Sequence, residues 1–120
     1  MNSLSKLFIP LTTAVILLGS VSNASADKLD DVIDEGVLRC GVVLDFPPIG
    51  YRDANNNPAG FDVEYCKDLA KALEVKYEIL PVTWAERLPS IVGNRADVVF
   101  GGTSDSLARA KTVGFSIPYA

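Results

Sequence analysis

The chain has 120 residues, 15 acidic against 11 basic, a formal net charge of −4, two cysteines and no histidine. Without imidazole there is no Ser-His-Asp triad, no Cys-His pair and no histidine-ligated metal site. The acidic balance excludes a nucleic-acid partner, which needs a basic face for phosphates, and the 22% charged and 48% hydrophobic fractions fit a globular chain of at most one small domain.

The first 26 residues read as a cleavable secretory signal. Lys6 is a weak basic start, Leu7 to Gly19 is apolar, and Ala24-Ser25-Ala26 makes a small-x-small cleavage site before Asp27. The apolar run is short for a membrane span, which takes about 20 residues. Residues 27–120 would then mature in an oxidising exported compartment, where a cysteine pair permits a disulfide without establishing one.

Asp27 to Glu35 predicts a short helix with Leu29, Val32 and Ile33 as its apolar stripe and Gly36 as its stop. Its acidic cluster lacks the spacing and glycine of a calcium loop. Val37 to Leu44 is an apolar run broken only by Arg39, which fits a central strand covered on both faces. Pro47-Pro48 ends it. Ile49–Arg52 and Pro58–Phe61 flank Asp53 to Asn57 as a hairpin with an Asx-rich turn. Asp62 to Leu73 repeats Val63, Cys66, Ala70 and Leu73 at helical spacing. Lys76–Val82 reads as a strand, Trp84–Val92 as a helix bent near Pro89, and Ala96–Gly101 as a strand. Ser106 is a candidate N-cap for Leu107–Lys111, and Val113–Ser116 reads as a last short strand.

Alternating strands and helices predict an α/β fold with a mostly parallel sheet flanked by helices. Ligands of such sheets sit beyond the carboxyl ends of the strands. That rule selects Asp45-Phe46, Thr83-Trp84 and the loop Gly101 to Arg109. Phe46 and Trp84 could wall a slot for a small ligand, or simply cap the core. The loop Gly101-Gly102-Thr103-Ser104-Asp105-Ser106 offers backbone access and hydroxyls. Arg109, one turn into the next helix, could grip a carboxylate with help from Ser104, or could pair with Asp105 at the surface. The loop lacks the ending of a P-loop and the Gly-x-Ser-x-Gly of a nucleophile elbow.

Read in order, Leu38 to Gly41, Asp45-Phe46-Pro47-Pro48, Tyr51-Arg52-Asp53, Gly60-Phe61-Asp62-Val63, Pro81-Val82-Thr83-Trp84, Ala96-Asp97-Val98-Val99, Arg109-Ala110-Lys111 and Phe115-Ser116-Ile117-Pro118-Tyr119 resemble the N-terminal lobe of family 3 extracellular solute-binding proteins. These are receptors of polar amino acid ABC transporters. The resemblance implies a periplasmic-binding-protein type II lobe in residues 27–120, with the second lobe absent. It implies a periplasmic monomer that hands an amino acid to a membrane ABC permease, without cofactor or metal.

By the family pattern, Arg109 grips the ligand α-carboxylate with the Ser104 hydroxyl, the Gly102 carbonyl accepts from the α-amino group, and Phe46 and Trp84 sandwich the side chain. Val43 stands where many relatives carry an aspartate, which speaks against a basic ligand. Asp105 replaces an apolar residue and could compete for Arg109. Cys40 and Cys66 replace small or branched apolar residues, and are expected as two buried hydrophobes in preference to a strand-to-helix bridge. An enzyme of the cyclohexadienyl dehydratase type on the same scaffold, or an extracytoplasmic sensor domain, are the alternatives. The acid that holds the α-amino group normally comes from the second lobe, so this chain alone is expected to bind weakly or not at all.

Overall fold

The computed structural model describes residues 27–119. The signal segment expected at 1–26 lies outside the described residues. The elements are α1 (Lys28–Glu35), β1 (Val37–Val42), β2 (Tyr51–Arg52), β3 (Pro58–Ala59), α2 (Phe61–Ala72), β4 (Lys76–Pro81), α3 (Arg87–Val92), β5 (Val98–Phe100) and α4 (Leu107–Ala110).

β1 is the centre of a three-stranded parallel sheet ordered β4-β1-β5. Val37 to Val42 pair with Lys76 to Pro81, and Cys40 to Val42 pair with Val98 to Phe100. An apolar run buried on both sides wants this central place. All three strands point the same way, so their carboxyl ends open on one edge. β2 and β3 form a separate antiparallel hairpin. Its turn is held by the Asp53 carboxylate, which accepts from the N–H groups of Asn55 and Asn57 at 2.8 and 2.9 Å.

The core gathers Val32, Leu38, Cys40, Val42, Val63, Cys66, Ala70 and Phe100. α2 supplies Val63, Cys66 and Ala70, which recur on one helical face. In α1 only Val32 is buried, while Leu29 and Ile33 remain exposed. Gly36 ends α1 in the left-handed region, and its N–H donates to the Val32 carbonyl at 3.0 Å.

Cys40 and Cys66 do not stay as separate hydrophobes: they form a disulfide. Packing of α2 across β1 brings their Cα atoms to 6.2 Å, within bridging range. The bridge fastens the first long helix to the central strand.

Three other boundaries differ from the sequence reading. β1 stops at Val42, and the following turn is closed by Phe46 N–H donating to Gly50 O at 2.8 Å and Gly50 N–H to Phe46 O at 3.0 Å. The helix expected from Trp84 begins at Arg87. Pro89 therefore falls in its first turn, where a missing N–H leaves no intrahelical bond unmade, and bends nothing. Residues 113–116 form no strand: the sheet ends at β5, so there is no described ladder for them to join.

One buried ion cluster fastens the base of the sheet. The Asp97 side chain is 1% exposed and lies 3.1 Å from Arg39 Nε and 3.5 Å from Lys28 Nζ. Arg39 also donates its backbone N–H to Asp97 at 2.8 Å. Burial alone would push the Asp97 carboxyl up, but the Arg39 N–H and guanidinium outweigh it and hold the carboxyl below its ordinary value.

Candidate functional site

The carboxyl ends of β1, β4 and β5 place the three sequence-selected segments at one edge. Phe46 follows β1, Trp84 follows β4, and Gly101 to Ser106 follow β5. Phe46 and Trp84 meet edge to face with ring centroids 5.7 Å apart and planes at 78°. Their faces are 53% and 41% exposed, so they form one apolar shelf in contact rather than two separated walls.

Gly101 and Gly102 take φ of 137° and 55°, both in the region that side chains disfavour. These two residues turn their carbonyl oxygens toward α3. Arg87 Nη1 donates to Gly101 O at 2.8 Å, to Thr103 Oγ1 at 3.0 Å and to Gly102 O at 3.3 Å. Its Nε donates to Trp84 O at 2.9 Å, and its guanidinium carbon lies 4.9 Å from the Trp84 ring centroid. Arg87 thus links the aromatic shelf to the glycine loop through hydrogen bonds and a cation–π contact. Burial first, and the nearby charge of Arg109 second, lower the Arg87 pKa.

Ser106 caps α4: its hydroxyl accepts from the Arg109 N–H at 3.3 Å. The Arg109 side chain then folds back, and Nη1 donates to Ser104 O at 2.9 Å. Among the described residues no carboxylate lies within ion-pair distance of Arg109 or Arg87. The Asp105 pairing weighed from the sequence is not made. Glu86, one residue before Arg87, is turned away, accepting from Thr83 N–H at 3.0 Å and Thr83 Oγ1 at 2.8 Å.

A cleft of about 780 Å³ runs beside this loop, with Phe46, Asp62, Gly102, Ser104, Ile117 and Tyr119 among its lining residues. Phe46, Gly102 and Ser104 therefore line one cavity, whereas Trp84 and Arg109 adjoin it through Phe46 and the Ser104 carbonyl. Asp62 is fully buried at its wall. Its Oδ1 accepts from the Tyr119 hydroxyl at 3.0 Å, and Oδ2 has no partner among the described residues. Burial pushes the Asp62 carboxyl up against the lowering effect of that bond, and burial with Asp62 alongside pushes Tyr119 up to about 12. The described residues hold no cluster of three or more acidic, cysteine or histidine side chains that could ligate a metal.

Arg87 is the residue that sequence reasoning passed over. Its signal was faint: an arginine three positions after a strand-end tryptophan, inside a segment read as a helix bent near Pro89.

Comparison with known proteins agrees with this architecture. The chain is 36% identical over 104 residues to the cyclohexadienyl dehydratase of Pseudomonas aeruginosa, covering 86% of this chain and 39% of that protein. It is 35% identical over 109 residues to the L-cystine-binding protein TcyJ of Escherichia coli, covering 88% of this chain and 41% of that one. Among solved structures, an ancestral cationic amino acid solute-binding protein, AncCDT-1, superposes with a TM-score of 0.73 at 37% identity, covering 78% of this chain and 41% of that one. The arginine-bound domain 1 of TmArgBP, the arginine-binding protein of T. maritima, superposes with a TM-score of 0.71 at 37% identity, covering 75% of this chain and 71% of that domain. The chain thus spans about two fifths of the curated relatives it matches. Residues 38–120 match the family model itself, and the chain belongs to the bacterial extracellular solute-binding proteins, family 3.

Proposed function

We propose that residues 27–120 are one lobe of a periplasmic receptor that captures an amino acid and presents it to an ABC-transporter permease. The observation that carries this reading is Arg109. It is a guanidinium at the strand-end edge, held by one carbonyl at 2.9 Å, with no described carboxylate to neutralise it. Such a group suits a ligand carboxylate, which it can take in bidentate fashion. The Ser104 hydroxyl lies in the same loop to add a bond, and Gly102 lines the cleft with a carbonyl that takes only the longest of the Arg87 bonds, at 3.3 Å, which leaves it a second lone pair for an α-amino group. The Phe46–Trp84 shelf gives the ligand side chain an apolar surface.

Titration of the chain with a panel of amino acids tests the reading. Arg109→Met is expected to weaken binding by about 30-fold or more, the size of a lost charge-assisted contact. An unchanged affinity would refute the assigned role. The arginine-bound domain 1 of TmArgBP shows a single domain of that protein holding its ligand, so the reading proposed here has this chain bind on its own, in place of the weak or absent binding that the resemblance implied.

The second reading is an enzyme, and the 36% identity to a cyclohexadienyl dehydratase favours it. Against it stand the surroundings of the loop. Asp45 lines a separate small hollow with Thr83 and Glu86, and no described acid meets Arg87 or Arg109 where a proton could be moved. A dehydratase assay separates the two readings, with turnover expected only for the second.

A further inference from the structure

The amino acid receptor reading leaves one cation without a task. A zwitterionic ligand brings one carboxylate, and Arg109 accounts for it. Yet Arg87 and Arg109 converge on one loop. Between them they engage the oxygen atoms of four successive residues: Gly101, Gly102 and Thr103 by Arg87, Ser104 by Arg109. Carbonyl and hydroxyl oxygens carry no net charge, so two guanidiniums remain uncompensated among the described residues. The cations also sense one another, as the lowered pKa of Arg87 records. Two like charges held close cost free energy that an anion recovers on binding.

Arg87 is placed to contribute. It is only half-buried, and Nη1 and Nε make all of its hydrogen bonds to described residues, leaving the Nη2 group of the fork uncommitted. The Trp84 ring on its face and the three acceptors on Nη1 fix its direction, so little side-chain freedom is lost when a ligand arrives. Beneath the loop the floor is apolar: the buried Val43 side chain packs against Gly101. Glu86 is committed to Thr83 and Arg95. Of the carboxylates that line the cleft, Asp97 is taken by Arg39 and Asp62 by the Tyr119 hydroxyl, and Asp105 meets neither Arg87 nor Arg109 within ion-pair distance.

We infer that Arg87 is a second ligand-contacting cation and that the ligand is an amino acid with an acidic side chain, its distal carboxylate on Arg87 and its α-carboxylate on Arg109. This rests on the receptor reading above. It sets the chain apart from AncCDT-1 and the T. maritima protein, whose names record cationic amino acid and arginine binding.

The test is calorimetric titration of the chain with the twenty amino acids and cystine. L-glutamate or L-aspartate is expected to bind at least about 10-fold more tightly than L-glutamine or L-arginine, the discrimination that one charge-assisted pair supplies. Arg87→Met should reduce affinity for the acidic ligand by about 10- to 100-fold while changing L-glutamine by less than about 3-fold. A residue that merely braced the loop would weaken both ligands alike, and that outcome would overturn the inference. So would wild-type preference for a neutral or basic amino acid, which leaves the receptor reading intact. Absence of binding to every member of the panel would remove the receptor reading and this inference together. The wild-type panel decides the point even if the variant does not fold.

Discussion

Asp97 and Asp62 are both buried carboxylates, and their surroundings drive them in opposite directions. Asp97 is held below 3.8 because Arg39 hydrogen bonds and charge outweigh burial. A lowered folded-state value contributes stability that is complete above the unfolded value and is lost as pH falls through the folded one. Asp97→Asn is therefore expected to cost about 3 kcal/mol at neutral pH, the scale of breaking a buried pair. Urea unfolding should show the difference shrinking once the pH drops below 3.8, the unperturbed value. Asp62 is raised above 3.8, chiefly by burial. Its contribution is complete below 3.8 and is lost as pH climbs through the raised value. Unfolding measured across acid to neutral pH should show Asp62→Asn gaining on the wild type as pH rises. A flat difference would mean the carboxyl is solvated in the folded chain.

At the scale of elements, the Cys40–Cys66 bridge between β1 and α2 is the strongest single constraint. It closes a separation of 26 residues, worth about 3.5 kcal/mol in chain-entropy terms. Replacing both cysteines with alanine should lower the unfolding free energy by about that amount, and adding reductant to the wild type should reproduce the loss. A bridge is hard to read from sequence, since two small side chains on a strand and a facing helix look alike whether bonded or merely packed. The elements themselves were more legible. β1 announced itself as a doubly covered strand, and Val63, Cys66 and Ala70 marked the buried face of α2. Legibility failed where local pattern and tertiary role diverge. Trp84 belongs to a turn because Thr83 and Glu86 bond each other before α3 begins. Residues 113–116 have the composition of a strand but no described neighbour to pair with. Of the proposed ligand contacts, Ser104 and Arg109 could be picked out beforehand because hydroxyl and guanidinium types suit carboxylate chemistry. Arg87 could not, because only folding brings α3 against a loop 14 residues further on.

For the molecule as a whole, ligand binding and stability should be one measurement. A ligand that binds only the folded lobe raises the unfolding free energy by about 2.7 kcal/mol at a concentration one hundred times its Kd. Thermal unfolding with L-glutamate present should therefore shift upward in the wild type and much less in Arg109→Met. The position of β1 has a further bearing, on the order in which the chain assembles. β1 is central, yet both of its sheet neighbours follow α2 in the chain. Its contact with the start of β5, through Arg39 and Asp97, spans 58 residues. The bridge to α2 spans only 26 and needs neither β4 nor β5. Loop closure favours the shorter span. In an oxidising compartment the first durable partner of β1 is thus a helix, and the sheet is laid down on a strand already anchored. Alkylation-quenched refolding should find the Cys40–Cys66 bond before the β1 amides gain protection from exchange.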